Sequence, residues 1–151
     1  MATRPDADRL EVWRALLEAH ATITARLAAE LEVERELPLS WYEVLLQLSE
    51  AGGRLRMQEL STRMIIHKSS LTRLVDRLED VGYVAREPCV EDGRGHYAVL
   101  TRDGRDVLRR AAPVHLRGIQ REFAQHLTDS DVVALQRVFA KLPGRSRPVE
   151  E

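Results

Sequence analysis

The sequence predicts a mainly α fold carrying one small β-hairpin, an α+β chain, and three observations lead there. Apolar residues recur at helical spacing through most of the 151 residues. The pattern changes once, near residues 83–100, to strand, polar turn and strand. Hydrophobic residues make up 44%, charged residues 31% and aromatics only 5%. That mix, rich in Leu, Ala, Val and Arg, suits helices better than a β-sandwich.

The elements follow in order. Residues 8–36 read as a long amphipathic helix, with Val12, Trp13, Leu16, Leu17, His20, Ile23, Leu27 and Leu31 on a broad stripe. Leu37-Pro38-Leu39 breaks it. Ser40 is the expected N-cap of a second helix, with Glu43 as reciprocal capping partner. That helix runs from Trp41 to Glu50, buries Trp41, Val44, Leu45 and Leu48, and ends at Gly52-Gly53. Residues 54–56 fit a very short strand. Met57, Leu60 and Met64 mark a short helix over 57–64, and Ile65-Ile66-His67 a turn. The next helix spans 68–81, with Leu71, Leu74, Val75 and Leu78 inward and Gly82 as its stop. Two helices separated by a three- or four-residue turn, the second with a polar outer face, make a helix-turn-helix.

Residues 83–87 and 96–100 are the two strands of the hairpin, joined across the turn-rich 88–95. Thr101 caps a helix reaching to Leu127, which Pro113 should bend rather than end. Thr128 and Asp131 form a capping pair for a last helix over 129–142 that buries Val132, Leu135, Val138, Phe139 and Leu142. The organisation expected is a helical region from both chain ends (8–36 and 101–142), a central lobe of helix-turn-helix and hairpin (37–100) and frayed tails at 1–7 and 143–151.

Net charge is −1, so bulk charge names no partner. Residues 1–36 carry five arginines against eight acids, whereas 54–105 carry ten basic residues against eight acids. The middle is the better face for phosphate. Nearly all cations are Arg, which suits bidentate contacts to phosphate and guanine, although GC-rich codon usage would give the same bias. The single cysteine, Cys89, allows no internal disulfide and no Cys-based zinc finger. No metal site is expected, because His115 and His126 stand three helical turns apart. No apolar leader or membrane-length run occurs, so a cytoplasmic protein with no membrane partner is expected. There is no Gly-rich phosphate loop, His-Glu-x-x-His or nucleophile elbow, and Ser69-Ser70 beside His67 lacks an orienting acid. No catalytic residue and no cofactor are therefore expected.

Two segments carry a family resemblance. Gln58-Glu59-Leu60-Ser61 followed by Lys68-Ser69-Ser70-Leu71-Thr72-Arg73-Leu74-Val75-Asp76-Arg77-Leu78-Glu79 resembles the helix-turn-helix of the MarR (multiple antibiotic resistance regulator) family. Gly82-Tyr83-Val84 through Glu91-Asp92-Gly93-Arg94 to Leu100-Thr101-Arg102-Asp103-Gly104 is similar to that family's wing and wing-to-helix junction. The likeness covers residues 8–142. Three departures stand out. Ile65 occupies a turn position where the family usually has Gly, and a β-branched residue tolerates positive φ poorly. His67 replaces the usual Ser or Pro, and Gly93 replaces the first of two wing arginines.

The resemblance implies a winged helix-turn-helix regulator, a repressor binding a pseudo-palindromic operator as a homodimer. Helix 68–81 would enter the major groove. Lys68, Ser69, Ser70, Thr72, Arg73 and Arg77, with His67 at its start, are the candidate DNA contacts. Arg77 would touch phosphate or pair with Asp76. Wing residues 88–95 would enter the minor groove with Arg94 at the tip, oriented by Asp92. The apolar surplus on the terminal helices points to a twofold dimer. The resemblance also implies a pocket for a small aromatic or anionic effector, with Trp13, His20, Trp41 and His115 as candidate lining or as plain core. Cys89 is either inert or redox-active. The alternative function is a winged helix used only for protein–protein contact.

Overall fold

The computed structural model describes residues 3–65, 70–91 and 93–144. Helix α1 (Ala7–Arg35) opens on the N-cap Asp6, whose carboxylate accepts from the Arg9 amide. Helix α2 (Leu39–Glu50), strand β1 (Arg54–Arg56) and helix α3 (Met57–Arg63) follow. Helix α4 (Leu71–Asp80) leads into strands β2 (Val84–Pro88) and β3 (His96–Leu100). Helix α5 (Arg102–Glu122) passes through Pro113 without ending, then gives way to a 3-10 turn (Ala124–His126) and helix α6 (Asp129–Phe139). The chain is thus mainly helical with a three-stranded antiparallel sheet, ordered β1-β3-β2.

The core sits where α2, α3, α4, the sheet and the first half of α5 meet. Leu45, Leu48, Leu60, Val75, Leu78, Val84 and Ala98 are fully enclosed there. The 3.6-residue spacing of α4 works as expected: Val75 and Leu78 are buried and Leu71 and Leu74 half-buried. Burial of each such aliphatic side chain stabilises the lobe by about 1.5–3 kcal/mol. Thr101 caps α5 by accepting from the Gly104 amide and donates its hydroxyl to the Gly82 carbonyl, 2.6 Å away. Gly104 lies so close to the Tyr83 carbonyl that no larger residue fits. These contacts fix α5 against the hairpin.

The second half of α1 runs antiparallel to α5 along a ladder of ions. Arg26 meets Glu122 at 2.9 Å, Arg121 meets Glu30 at 2.9 Å and Arg117 meets Glu34 at 3.0 Å. The hydrogen bond from Arg121, helped by its charge, holds Glu30 below the usual carboxylate range. Hydrogen bonds from Arg26 and Arg121 do the same for Glu122. Gly118 lets α1 approach at the crossing, against Leu27 and Glu30.

Three expectations need correction. Ser40 is not the cap of α2: the helix starts at Leu39 with Pro38 in the cap position and no side-chain cap, and Glu43 bonds elsewhere. The α6 residues expected to be buried are not enclosed within one chain. Val132, Val138, Phe139 and Leu142 are exposed and Leu135 is half-buried. On α1, of the eight stripe residues only Leu27 and Leu31 are buried, and every residue from Ala7 to Thr22 is exposed. By contrast, Thr128 and Asp131 form the reciprocal capping box expected of them.

Candidate nucleic-acid interface

The outer face of α4 carries Thr72, Arg73, Asp76 and Arg77, all exposed. These positions are left outward once Leu71, Leu74, Val75 and Leu78 take the inner face. His67, Lys68 and Ser69 lie outside the described residues, as does Asp92. The helix is described from Leu71, later than the sequence suggests. Ser70 precedes it in the left-handed region (φ 55°, ψ 48°) and its hydroxyl does not cap the helix. Ile65 is absent from the left-handed residues, so the turn differs from one built on glycine.

One side chain ties this helix to the wing. Arg86, on β2, reaches Asp76 at 2.6 Å and Glu79 at 3.2 Å, and donates to the Thr72 carbonyl at 3.1 Å. Its own amide donates to Glu79 at 3.1 Å. Of the two roles open to Arg77, pairing with Asp76 therefore gives way to the long-range pair of Asp76 with Arg86. The consequence is electrostatic. Asp76 and Glu79 are engaged toward the sheet, and neither Arg73 nor Arg77 is held in an ion pair among the described residues. The outer face is left cationic where a duplex would lie. Sequence reading missed Arg86; the signal was the acidic pair Asp76 and Glu79, three residues apart and level with the next strand.

The wing is braced at its base. The Cys89 amide donates to the Gly95 carbonyl at 3.2 Å, which closes the loop. Gly93 (φ 65°) and Gly95 (φ 81°) take left-handed conformations on either side of the exposed Arg94. Arg54 lies 3.8 Å over the Tyr97 ring and 3.9 Å from Glu87, and Arg56 is 3.5 Å from Glu91. The Cys89 thiol is buried at 4% exposure. A cleft of about 240 Å³ beside it is lined by Arg56, Gln58, Arg94 and His96.

The four residues expected around an effector do not converge. Trp13 is 57% exposed on α1, and His20 is exposed on the same helix. Trp41 packs edge-on to Tyr83, with ring centroids 6.3 Å apart. His115 packs on Tyr42 at 4.6 Å, and burial holds its pKa below the ordinary value. A cleft of about 330 Å³ does open between α2 and α5, lined by Tyr42, Leu46, Ser49, Arg105, Leu108 and Arg109. None of the four lines it; His115 only packs on Tyr42, which does. Among the described residues no cluster suited to a metal ion occurs, and no helix is long and apolar enough to cross a membrane.

Comparison with known proteins bears on this arrangement. The model of the MarR family matches residues 36–95, the segment from α2 to the wing tip. An uncharacterised HTH-type transcriptional regulator of Bacillus subtilis, YkoM, is 31% identical over 80 residues, and the match spans about half (52%) of that relative's length. The HTH-type transcriptional repressor IacR of Pseudomonas putida is 30% identical over 124 residues, covering 82% of this chain and 72% of the relative. Among solved structures, Sco3205 of Streptomyces coelicolor, a MarR family transcriptional regulator crystallised with DNA, superposes with a TM-score of 0.84. It is 34% identical, with 93% of this chain and 88% of that one covered. With its helix-turn-helix, its braced wing and its flanking helices all matched at once, the chain belongs to the MarR family.

Proposed function

We propose that the chain is a transcriptional regulator, a repressor, that binds double-stranded DNA as a homodimer and is released by a small aromatic or anionic effector. The observation that carries this reading is the cationic outer face of α4 locked by Arg86 to an arginine-tipped wing. A helix of this width fits the major groove, and Arg94 suits the narrow minor groove beside it. Arg73 and Arg77 supply guanine or phosphate contacts, and Ser70 and Thr72 supply hydroxyls. Lys68, Ser69 and His67 extend the contact surface and Asp92 orients Arg94, as the family resemblance implies. The DNA complex of Sco3205 and the repressor name of IacR support the same assignment.

The homodimer rests on unburied apolar surface. Leu10, Trp13, Leu16 and Leu17 on α1, with Val132, Val138 and Phe139 on α6, are exposed in a single chain. A second copy is the economical cover, formed by 8–36 and 101–142, and leaves 37–100 as the DNA lobe. Two recognition helices about 34 Å apart would then read a pseudo-palindrome. The cleft of Tyr42, Arg105 and Arg109 offers an aromatic wall and two cations, which suits an aromatic anion. With no membrane-length helix among the described residues, the regulator acts in the cytoplasm.

The test is fluorescence anisotropy with a duplex selected from random sequence, titrated with salt, beside sedimentation of the protein alone. Expected are a dimer and a complex that weakens steeply with salt, with Arg73→Ala costing about 1–3 kcal/mol at one base position. Failure to select any sequence, even at low salt, would favour the protein–protein module instead.

A further inference from the structure

Helix α2 presents two edges to two different neighbours. Tyr42, Leu46 and Ser49 line the cleft against α5. The adjoining edge carries Glu43, whose carboxylate accepts a hydrogen bond from the Ile65 amide, 22 residues away. Glu43 is only 5% exposed and lies between the enclosed Tyr42 and Val44. A carboxylate in such surroundings costs desolvation that a leucine would not, so its presence there needs a reason.

The reason lies in where α3 stops. The Met64 amide makes the last helical bond, to Leu60, and Met64 then turns extended at φ −65°, ψ 129°. The next amide, that of Ile65, therefore leaves the helix ladder. The Ile65 side chain gives no anchorage, being 74% exposed. Among the described residues, the bond that takes up the Ile65 amide is the one to Glu43. We propose that Glu43 is a positioning residue for DNA reading: through the Ile65 amide it fixes the exit from α3, and so the placement of Arg73 and the rest of the recognition helix on the duplex.

The inference rests on the DNA-binding reading above and makes a distinct claim. Non-specific binding depends on cations near phosphates and tolerates a shifted helix, whereas base reading does not. A lost latch should therefore reduce specific affinity alone. Glu43→Leu fills the same space without an acceptor and is expected to fold; Glu43→Gln keeps an acceptor oxygen. Three measurements on the full chain decide the matter: affinity for a selected duplex, affinity for a scrambled one, and hydrogen exchange at the Ile65 amide. Glu43→Leu should weaken the selected duplex by about tenfold or more, leave the scrambled one unchanged, and speed Ile65 exchange. Glu43→Gln should recover most of both effects. Equal loss on the two duplexes, or no loss on either, overturns the proposal. So does unchanged Ile65 exchange in Glu43→Leu. If the wild type discriminates no duplex, the DNA-binding reading fails, and the exchange measurement still decides whether Glu43 holds the turn.

Discussion

Arg86 is the bolt between the recognition helix and the wing, and its removal has a magnitude that can be worked through. The side chain is 20% exposed, while its partners Asp76 and Glu79 are 53% and 43% exposed. Half-exposed partners are screened, so each ion pair contributes about 0.5 kcal/mol. The hydrogen bond to the Thr72 carbonyl at 3.1 Å adds about 1 kcal/mol. Arg86→Met keeps the aliphatic stem and removes all three contacts, for a loss of about 2 kcal/mol. For a chain of this length that lowers the melting midpoint by about 4–8 °C. Scanning calorimetry at fixed protein concentration reads it directly. The same variant should bind a selected duplex about tenfold more weakly, because helix and wing no longer arrive in one geometry. A midpoint within about 1 °C of wild type, with unaltered binding, would refute the reasoning.

Other expectations follow from the same structure. Gly104→Ala drives a methyl group into the Tyr83 carbonyl and to 2.8 Å from Leu100. Gly118→Ala meets only the flexible ends of Leu27 and Glu30, at 2.6 and 2.7 Å. Thermal melts should show the first costing about 3 kcal/mol and the second less; the reverse order would rule out the packing described. His115 resists protonation because it is buried, with Glu30 opposing the effect, so the unfolded chain takes the proton first as pH falls below 6.5. Stability should be full above that value and decline below it, and His115→Phe should flatten the decline between pH 7.5 and 5.5 as followed by melting midpoints. Arg94→Ala should weaken DNA binding, leave the assembly state unchanged in sedimentation, and reduce the salt slope by about one.

Local chemistry was the readable part of this sequence. Leu71, Leu74, Val75 and Leu78 announced α4 by spacing alone, and the Thr101 and Thr128 caps needed nothing beyond three neighbouring residues. Ser40 and Glu43 satisfied the same capping pattern and misled, because Pro38 starts the helix earlier and the carboxylate is claimed by a distant amide. Asp76 likewise found Arg86 across the sheet rather than its neighbour Arg77. Cavities are harder still. The cleft joins Tyr42 to Arg105 and Arg109, residues some sixty apart in the chain, and no periodicity marks such a meeting. The apolar stripes on α1 and α6 were legible as apolar, but spacing gives the composition of a face and not its cover, and most of both stripes is exposed in a single chain.

The first sixteen residues of α1 are all exposed in a single chain. In the proposed dimer a second copy would supply the packing that such a helix lacks alone, since isolated helices of that length are marginal in water. Dilution should then act like a mild denaturant: each tenfold drop in concentration removes about 1.4 kcal/mol from a paired fold. For the proposed dimer, cellular abundance would then set how much of the protein is assembled at all.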